Sequence, residues 1–227
     1  MRHRNLPWAL LGPLLALGAG PAGGATIEAT ANVGMGSNYL WRGVTQSDDQ
    51  AALSGGLDLS HASGLYAGAW SSSLDGGQYE LDLYAGYAAA ANGLAYDLGV
   101  IHYRYPVGDA ALDFEELYLE VGMGPFTAGL AWTFHLEDEA RDEGDLYTHI
   151  GGELPLRAGL AAGLVAGRYD FEDAAAEDYS HLQLYLSKEH SLLGRFTFAV
   201  DRNTLDDSGA GEDDPRVSIS WGTEFEL

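Results

Sequence analysis

IEATANVGMGSNYLWRGVTQS, residues 27–47, decides how the rest of the chain is read. Ile27, Ala29, Ala31, Val33, Met35, Tyr39 and Trp41 hold its odd positions, and the residues between them, Glu28, Thr30, Asn32, Gly34, Gly36 and Asn38, are small or polar. A period of two marks a strand with one apolar and one wet face. Leu40 breaks the phase. The run is longer than the roughly 3 to 10 residues of a common strand, and it ends in the aromatic pair Tyr39 and Trp41 just before a polar loop at 43–50. The expectation is one long strand that crosses a bilayer.

Working outward, the residues before this strand read as a secretory signal. Arg2 and Arg4 precede an apolar core at 6–17 that is interrupted by Pro7, Gly12 and Pro13, and Gly23-Gly24-Ala25 supplies a small-residue cleavage site. The core is too short and too proline-broken to span as a helix. Cleavage after Ala25 gives two regions, a signal peptide at 1–25 and a single barrel at 26–227. No other run approaches the roughly 20 apolar residues of a membrane helix, and the mean hydropathy is −0.11. Helical membrane proteins are thereby excluded. The chain has no cysteine, so an exported fold must rest on strand pairing and burial rather than on disulfides. Its formal charge is −23; nucleic acid, which calls for a basic footprint, is not expected as a partner.

Downstream, alternating segments recur at 51–60, 65–70, 78–91, 94–103, 113–121, 126–135, 145–154, 158–168, 179–187, 195–202 and 215–227. With the first strand they make twelve. The connections alternate strictly between short turns, such as His61 to Gly64 and Asn92-Gly93, and longer polar loops, such as 71–77 and 136–144. An even-stranded antiparallel barrel with periplasmic turns and external loops has this rhythm, and it puts both termini on the periplasmic side. Twelve spans of about 10 residues are also what the length permits.

Register offers a sharper expectation. Asn92-Gly93 is a strong two-residue hairpin signal; with Ala91 opposite Leu94, Tyr87 faces Leu98, Ala85 faces Val100 and Asp82 faces Tyr103. At Met123-Gly124 the same reasoning pairs Val121 with Phe126, Leu119 with Ala128 and Leu117 with Leu130. A slip of one residue would mix the faces.

Apolar sets such as Phe126/Ala128/Leu130/Trp132/Phe134 and Val217/Ile219/Trp221 are expected to face lipid. Aromatic girdles are expected from Tyr39, Trp41, Tyr79 and Phe134 near the long loops and from Tyr87, Phe126, Phe196 and Phe225 near the short turns. The alternative, a soluble sandwich, predicts lysine-rich exposed edges, and Lys188 is the chain's one lysine. Facing inward are Arg42, Glu80, Asp82, Asp97, Glu116, Glu120, Arg195 and Arg216, the candidate solute-contacting residues, with the three arginines on the seam of the last two strands and the first. These groups describe either a narrow pore or an interior filled by mutual pairing. Both remain open.

Residues 37–73 (SNYLWRGVTQSDDQAALSGGLDLSHASGLYAGAWSSS) and YELDLYAGY at 79–87 resemble the TorF-type porin family, also known as the Gcw_chp family of proteobacterial outer-membrane proteins. The resemblance rests on Ser37-Asn38-Tyr39, Arg42-Gly43, Gln46-Ser47, Gly55-Gly56, Gly64 to Gly68 and Glu80 to Tyr84. It implies an outer-membrane barrel of a Gram-negative bacterium and no catalytic residue to carry over. Many such barrels end on an aromatic; this chain ends Phe225-Glu226-Leu227. The expected partners are outer-membrane lipid and lipopolysaccharide, the barrel-assembly machinery, and small solutes or ions, with no cofactor.

Acidic loops at 137–139, 142–143, 170–178 and 206–214 could hold divalent cations against lipopolysaccharide phosphates, but no stretch has a calcium-loop spacing, and charge runs are ordinarily hydrated surface. No metal site is expected. A lipid hydrolase would need a serine with a histidine in reach; there is no G-x-S-x-G element, and His135 with His149, both read as inward on adjacent strands, is the nearest approach to a pair. The functional expectation is therefore a porin, a narrow passive channel for small solutes or ions. A closed structural or surface-interaction barrel acting through its acidic loops is the alternative, with a hydrolase as a lesser one.

Overall fold

The structure, a computed structural model, describes residues 27–107, 112–138, 140–205 and 214–227. The expected signal peptide lies outside them. Twelve antiparallel strands close into a barrel: β1 (Ile27–Gly36), β4 (Ala52–His61), β5 (Leu65–Ser73), β6 (Tyr79–Ala91), β7 (Leu94–Arg104), β8 (Phe114–Met123), β9 (Phe126–Leu136), β10 (Leu146–Pro155), β11 (Leu160–Asp170), β12 (Tyr179–His190), β13 (Gly194–Asn203) and β14 (Arg216–Glu226). Each pairs with its neighbours in sequence, and β1 pairs with β14 to seal the cylinder, Ala31 opposite Phe225 and Met35 opposite Trp221. Closure leaves no bare edge, as lipid requires. A small hairpin, β2 (Leu40–Trp41) and β3 (Val44–Thr45), stands apart from the wall.

Alternation sorts the side chains as in an inverted globule. Leu53, Phe126 and Ile150 on the outer surface are 65%, 60% and 62% exposed, whereas the inward Glu80, Asp82 and Glu116 are 2%, 3% and 0% exposed. Apolar groups point to lipid and polar groups form the core. The Asn92-Gly93 turn has positive φ at both residues, 54° and 83°, the conformation a type I′ hairpin needs. Its register is the expected one, with Ala91 opposite Leu94, Tyr87 opposite Leu98 and Asp82 opposite Tyr103.

The β8–β9 register differs. Met123 pairs with Phe126 and Val121 with Ala128, two residues beyond the expected pairing. The turn is Gly124-Pro125, with Gly124 at φ 60°; proline presets its own φ, so the tight turn forms one residue later. A shift of two keeps each residue on its face. Higher up, a bulge between Glu115 and Glu116 puts Glu116 opposite Thr133 and Glu115 opposite His135. The extra residue, Phe134, reverses the phase, so His135 lies outside, contrary to its inward reading.

The opening stretch departs furthest from the expected single long strand. β1 stops at Gly36, and the chain turns into the barrel. Asn38 drives the turn: its Oδ1 accepts from Thr45 Oγ1 at 2.7 Å and Ser47 Oγ at 3.1 Å, and its Nδ2 donates to Asp49 at 2.5 Å. The Ser47 hydroxyl also accepts from the Tyr39 amide at 2.9 Å. With the backbone knotted here, residues 39–46 form a separate hairpin whose apex, Arg42-Gly43, has φ of 50° and 83°.

Candidate functional site: a hairpin seated in the lumen

Arg42 sits at that apex, and its guanidinium reaches the opposite wall. Nη1 and Nη2 donate to Glu116 Oε1 and Oε2 at 2.8 and 2.7 Å. The two side chains are 0% and 1% exposed. Bidentate pairing satisfies both carboxylate oxygens with one planar cation, which makes it one of the stronger polar contacts available. Three ring faces surround the same group: its Cζ lies 4.1 Å from the ring centroid of Trp41, 4.2 Å from Tyr147 and 5.0 Å from Tyr169. An arginine keeps its charge in any protein environment, so the lumen holds, near the long-loop ends of β8, β10 and β11, a cation in an aromatic and carboxylate cage.

Other contacts seat the hairpin on all sides. Tyr39 donates its hydroxyl to Glu80 Oε1 at 2.7 Å, and Tyr105 donates to Oε2 at 2.9 Å. Trp41 meets Tyr103, Phe114 and Tyr169 edge-on at 5.9 to 6.1 Å. Across the barrel, Asn203 Nδ2 donates to the Gly43 carbonyl at 3.0 Å. Gly43 itself lies so close to β12 that a Cβ there would be 2.5 Å from His181 Cβ. Tyr39 and Trp41 are therefore not girdle residues; they pack inside on β6, β7, β8 and β11, because the loop folds inward instead of extending the strand.

The remaining candidate residues lie in separate neighbourhoods. Glu80 takes its two tyrosine bonds, while Asp82, also inward on β6, has a buried Oδ1 with no hydrogen-bond partner among the described residues. Asp97 accepts from Tyr66. Glu120 lies 3.2 Å from His149 Nε2. Arg195 bonds Glu153 and, at 2.6 Å, Ser187 at the short-turn end, whereas Arg216, near the loop end of β14, donates to Asp49 at 3.1 Å. Arg42, Arg195 and Arg216 thus form no common seam: one is carried by the hairpin to β8 and the other two lie at opposite ends of the wall. Tyr87, Phe126, Phe196 and Phe225 are exposed outward near the short turns and Tyr79 near the loops; Phe134, at the bulge, lies 6.2 Å from Trp132.

His135 and His149 do not meet. His135 is outside, with Nδ1 3.1 Å from Glu143, and His149 is inside on Glu120, so the pair on which a hydrolase reading would rest is not formed.

Sequence reading missed Tyr147 and Tyr169 as partners of Arg42. The available signal was the Trp41-Arg42-Gly43-Val44 tetrapeptide, a two-residue turn flanked by apolar residues, disguised by an arginine where asparagine or glycine is usual.

A closed barrel with a lipid-facing apolar surface, a polar interior and an inward-folded loop defines a porin-type outer-membrane protein. The chain belongs to the family described as "Bacterial protein of unknown function (Gcw_chp)", whose model matches residues 18–201. Among solved structures it is similar to the KdgM porin (TM-score 0.55, 7% identity, 88% of this chain and 99% of that one). It is also similar to the NanC porin (TM-score 0.52, 12% identity, 88% and 100%). Outer membrane phospholipase A from Escherichia coli follows at a TM-score of 0.44, with 13% identity over 88% and 90% of the two chains, too loose a likeness to carry an argument about activity. No curated protein matches the chain significantly in sequence.

Proposed function

We propose that this barrel is a narrow passive channel for small solutes or ions across the outer membrane, shut in the present conformation by the β2–β3 hairpin. The observation that carries the reading is the Arg42–Glu116 pair, which joins the hairpin apex to the far wall with both side chains sealed from solvent. A wall lined with Glu80, Asp82, Asp97 and Glu120 favours cations once the hairpin leaves, since like-signed walls concentrate the opposite charge. The likeness to porins supports the class. Single-channel recording in a planar bilayer tests it. The intact protein should give rare steps, and a variant with residues 39–46 replaced by a glycine-serine linker should give frequent, cation-preferring steps. No steps from that variant, shown to be folded and inserted, would overturn the channel.

The same seal favours a second reading, a closed barrel that works through its external loops. Arg168, with Asp170 and Asp178 at 2.6 and 3.1 Å, gives one loop an ordered charged base from which to contact lipopolysaccharide. Loop-directed binding to lipopolysaccharide vesicles without conductance would be its signature.

A further inference from the structure

The cage around Arg42 has the composition of a binding site for an organic cation. Glu116 offers two parallel acceptors, and the guanidinium Cζ lies over the rings of Tyr147 and Tyr169 at 4.2 and 5.0 Å, the two rings standing at 78° to each other. Thr133 Oγ1 and Tyr103 Oη, 3.5 and 3.2 Å from the same carboxylate, hold it in place. All of these residues belong to the wall: Tyr103 is on β7, Glu116 on β8, Thr133 on β9, Tyr147 on β10 and Tyr169 on β11. Only the cation and Trp41 come from the hairpin. Aromatic faces around a carboxylate recognise planar or alkylated cations by charge and by ring quadrupole together, and nothing in that recognition requires the cation to be tethered. Asp82 Oδ1, on a residue 3% exposed and without a hydrogen-bond partner among the described residues, adds an acceptor to the acidic lumen.

We infer that Arg42 is an internal ligand occupying the channel's own solute site, and that the solutes this barrel takes are guanidinium-bearing or related organic cations that displace the hairpin. The inference rests on the reading of the hairpin as a movable plug. A tethered ligand competes at an effective concentration near the millimolar range or above, so a free solute enters the cage in proportion to its own concentration. The hairpin then keeps small inorganic ions out when no cognate solute is present.

The test uses the full-length barrel, refolded in micelles and in vesicles, with Arg42→Ala and, as a bulk-preserving second variant, Arg42→Met. The probe is methylguanidinium chloride at low millimolar concentration, with sodium chloride of equal ionic strength as control. Methylguanidinium should raise the unfolding temperature of the Arg42→Ala barrel by a few degrees, should do so less for Arg42→Met, whose side chain fills the cage, and should leave Arg42→Ala/Glu116→Gln unmoved. It should also block the current of the Arg42→Ala channel. Equal shifts from sodium, or a shift that survives loss of Glu116, would overturn the inference. Stabilisation without any current would sink the channel reading and leave the cation site standing. Current without methylguanidinium binding would do the reverse.

Discussion

Replacing Glu116 by glutamine keeps the shape of the wall and removes the charge that holds the hairpin. In the native protein the Arg42 guanidinium is fully buried against that carboxylate at 2.7 to 2.8 Å. Removing one partner of such a pair strands the other charge, at a cost of about 3–5 kcal/mol. Cation–π contact with the rings of Trp41, Tyr147 and Tyr169 survives the substitution, but its worth is about 0.5–2 kcal/mol. The loss exceeds what remains, so Arg42 should leave. The hairpin lies apart from the ladder of the wall, and its release lets the guanidinium regain water without unfolding any barrel strand. The cost therefore falls on the docking equilibrium, shifting it roughly 100-fold or more toward the open form, at about 1.4 kcal/mol for each tenfold. Hydrogen exchange read by mass spectrometry on the folded barrel reports this locally. The Gln46 amide, donating to the Tyr39 carbonyl at 2.7 Å, should lose protection by about that factor, while the ladder amides of β8 keep theirs. Unchanged protection at Gln46, or equal loss along β8, would refute the assignment of Glu116 as the latch.

Two glycines give further outcomes. Gly43→Ala places a Cβ 2.5 Å from His181 Cβ at a backbone φ of 83°, so the hairpin should undock with the wall intact, read as new protease cleavage within residues 39–46 and unchanged heat-modifiable mobility. A Cβ at Gly163 would lie within 2.4 Å of Cζ, Cε1 and the hydroxyl oxygen of Tyr185; Gly163→Ala should cost about 1–3 kcal/mol in urea unfolding from micelles, and the Tyr185→Ala background should absorb most of it, additivity within about 0.5 kcal/mol being the contrary result.

The wall was legible in the sequence because a bilayer enforces one rule on every strand: outward positions such as Leu98, Val100 and Leu130 must be apolar, while inward positions such as Asp97 and Glu120 are free to be polar. Turn chemistry at Asn92-Gly93 then set a register that holds residue for residue. What the period of two cannot convey is where a strand stops. Tyr39 and Trp41 continue the phase of Val33 and Met35, yet the hydrogen bonds of Asn38 and Ser47 compete with the ladder and turn the chain inward. Phase also fails at a bulge, as at Phe134, where one unpaired residue moves His135 from the lumen to the outside. The cage escaped for a related reason. Its members come from five wall strands and a loop, and only the closed cylinder brings Glu116, Tyr147 and Tyr169 to a single point.

Arg42 also explains a local oddity of the hairpin. A two-residue turn with positive φ at both positions suits Asn-Gly, and arginine in the left-handed region carries a steric cost of about 1–2 kcal/mol. Asparagine at residue 42 would relieve that cost and preserve the turn, but it could not span the lumen to Glu116. The bidentate ion pair and ring contacts outweigh the strain only while the apex is seated, so the strain favours release whenever the cage is filled by something else. A loop kept merely to plug the barrel could use the relaxed turn and bulky apolar side chains. One that spends backbone strain to present a guanidinium to a carboxylate costs less to displace, as the proposed exchange with a solute of the same chemistry requires.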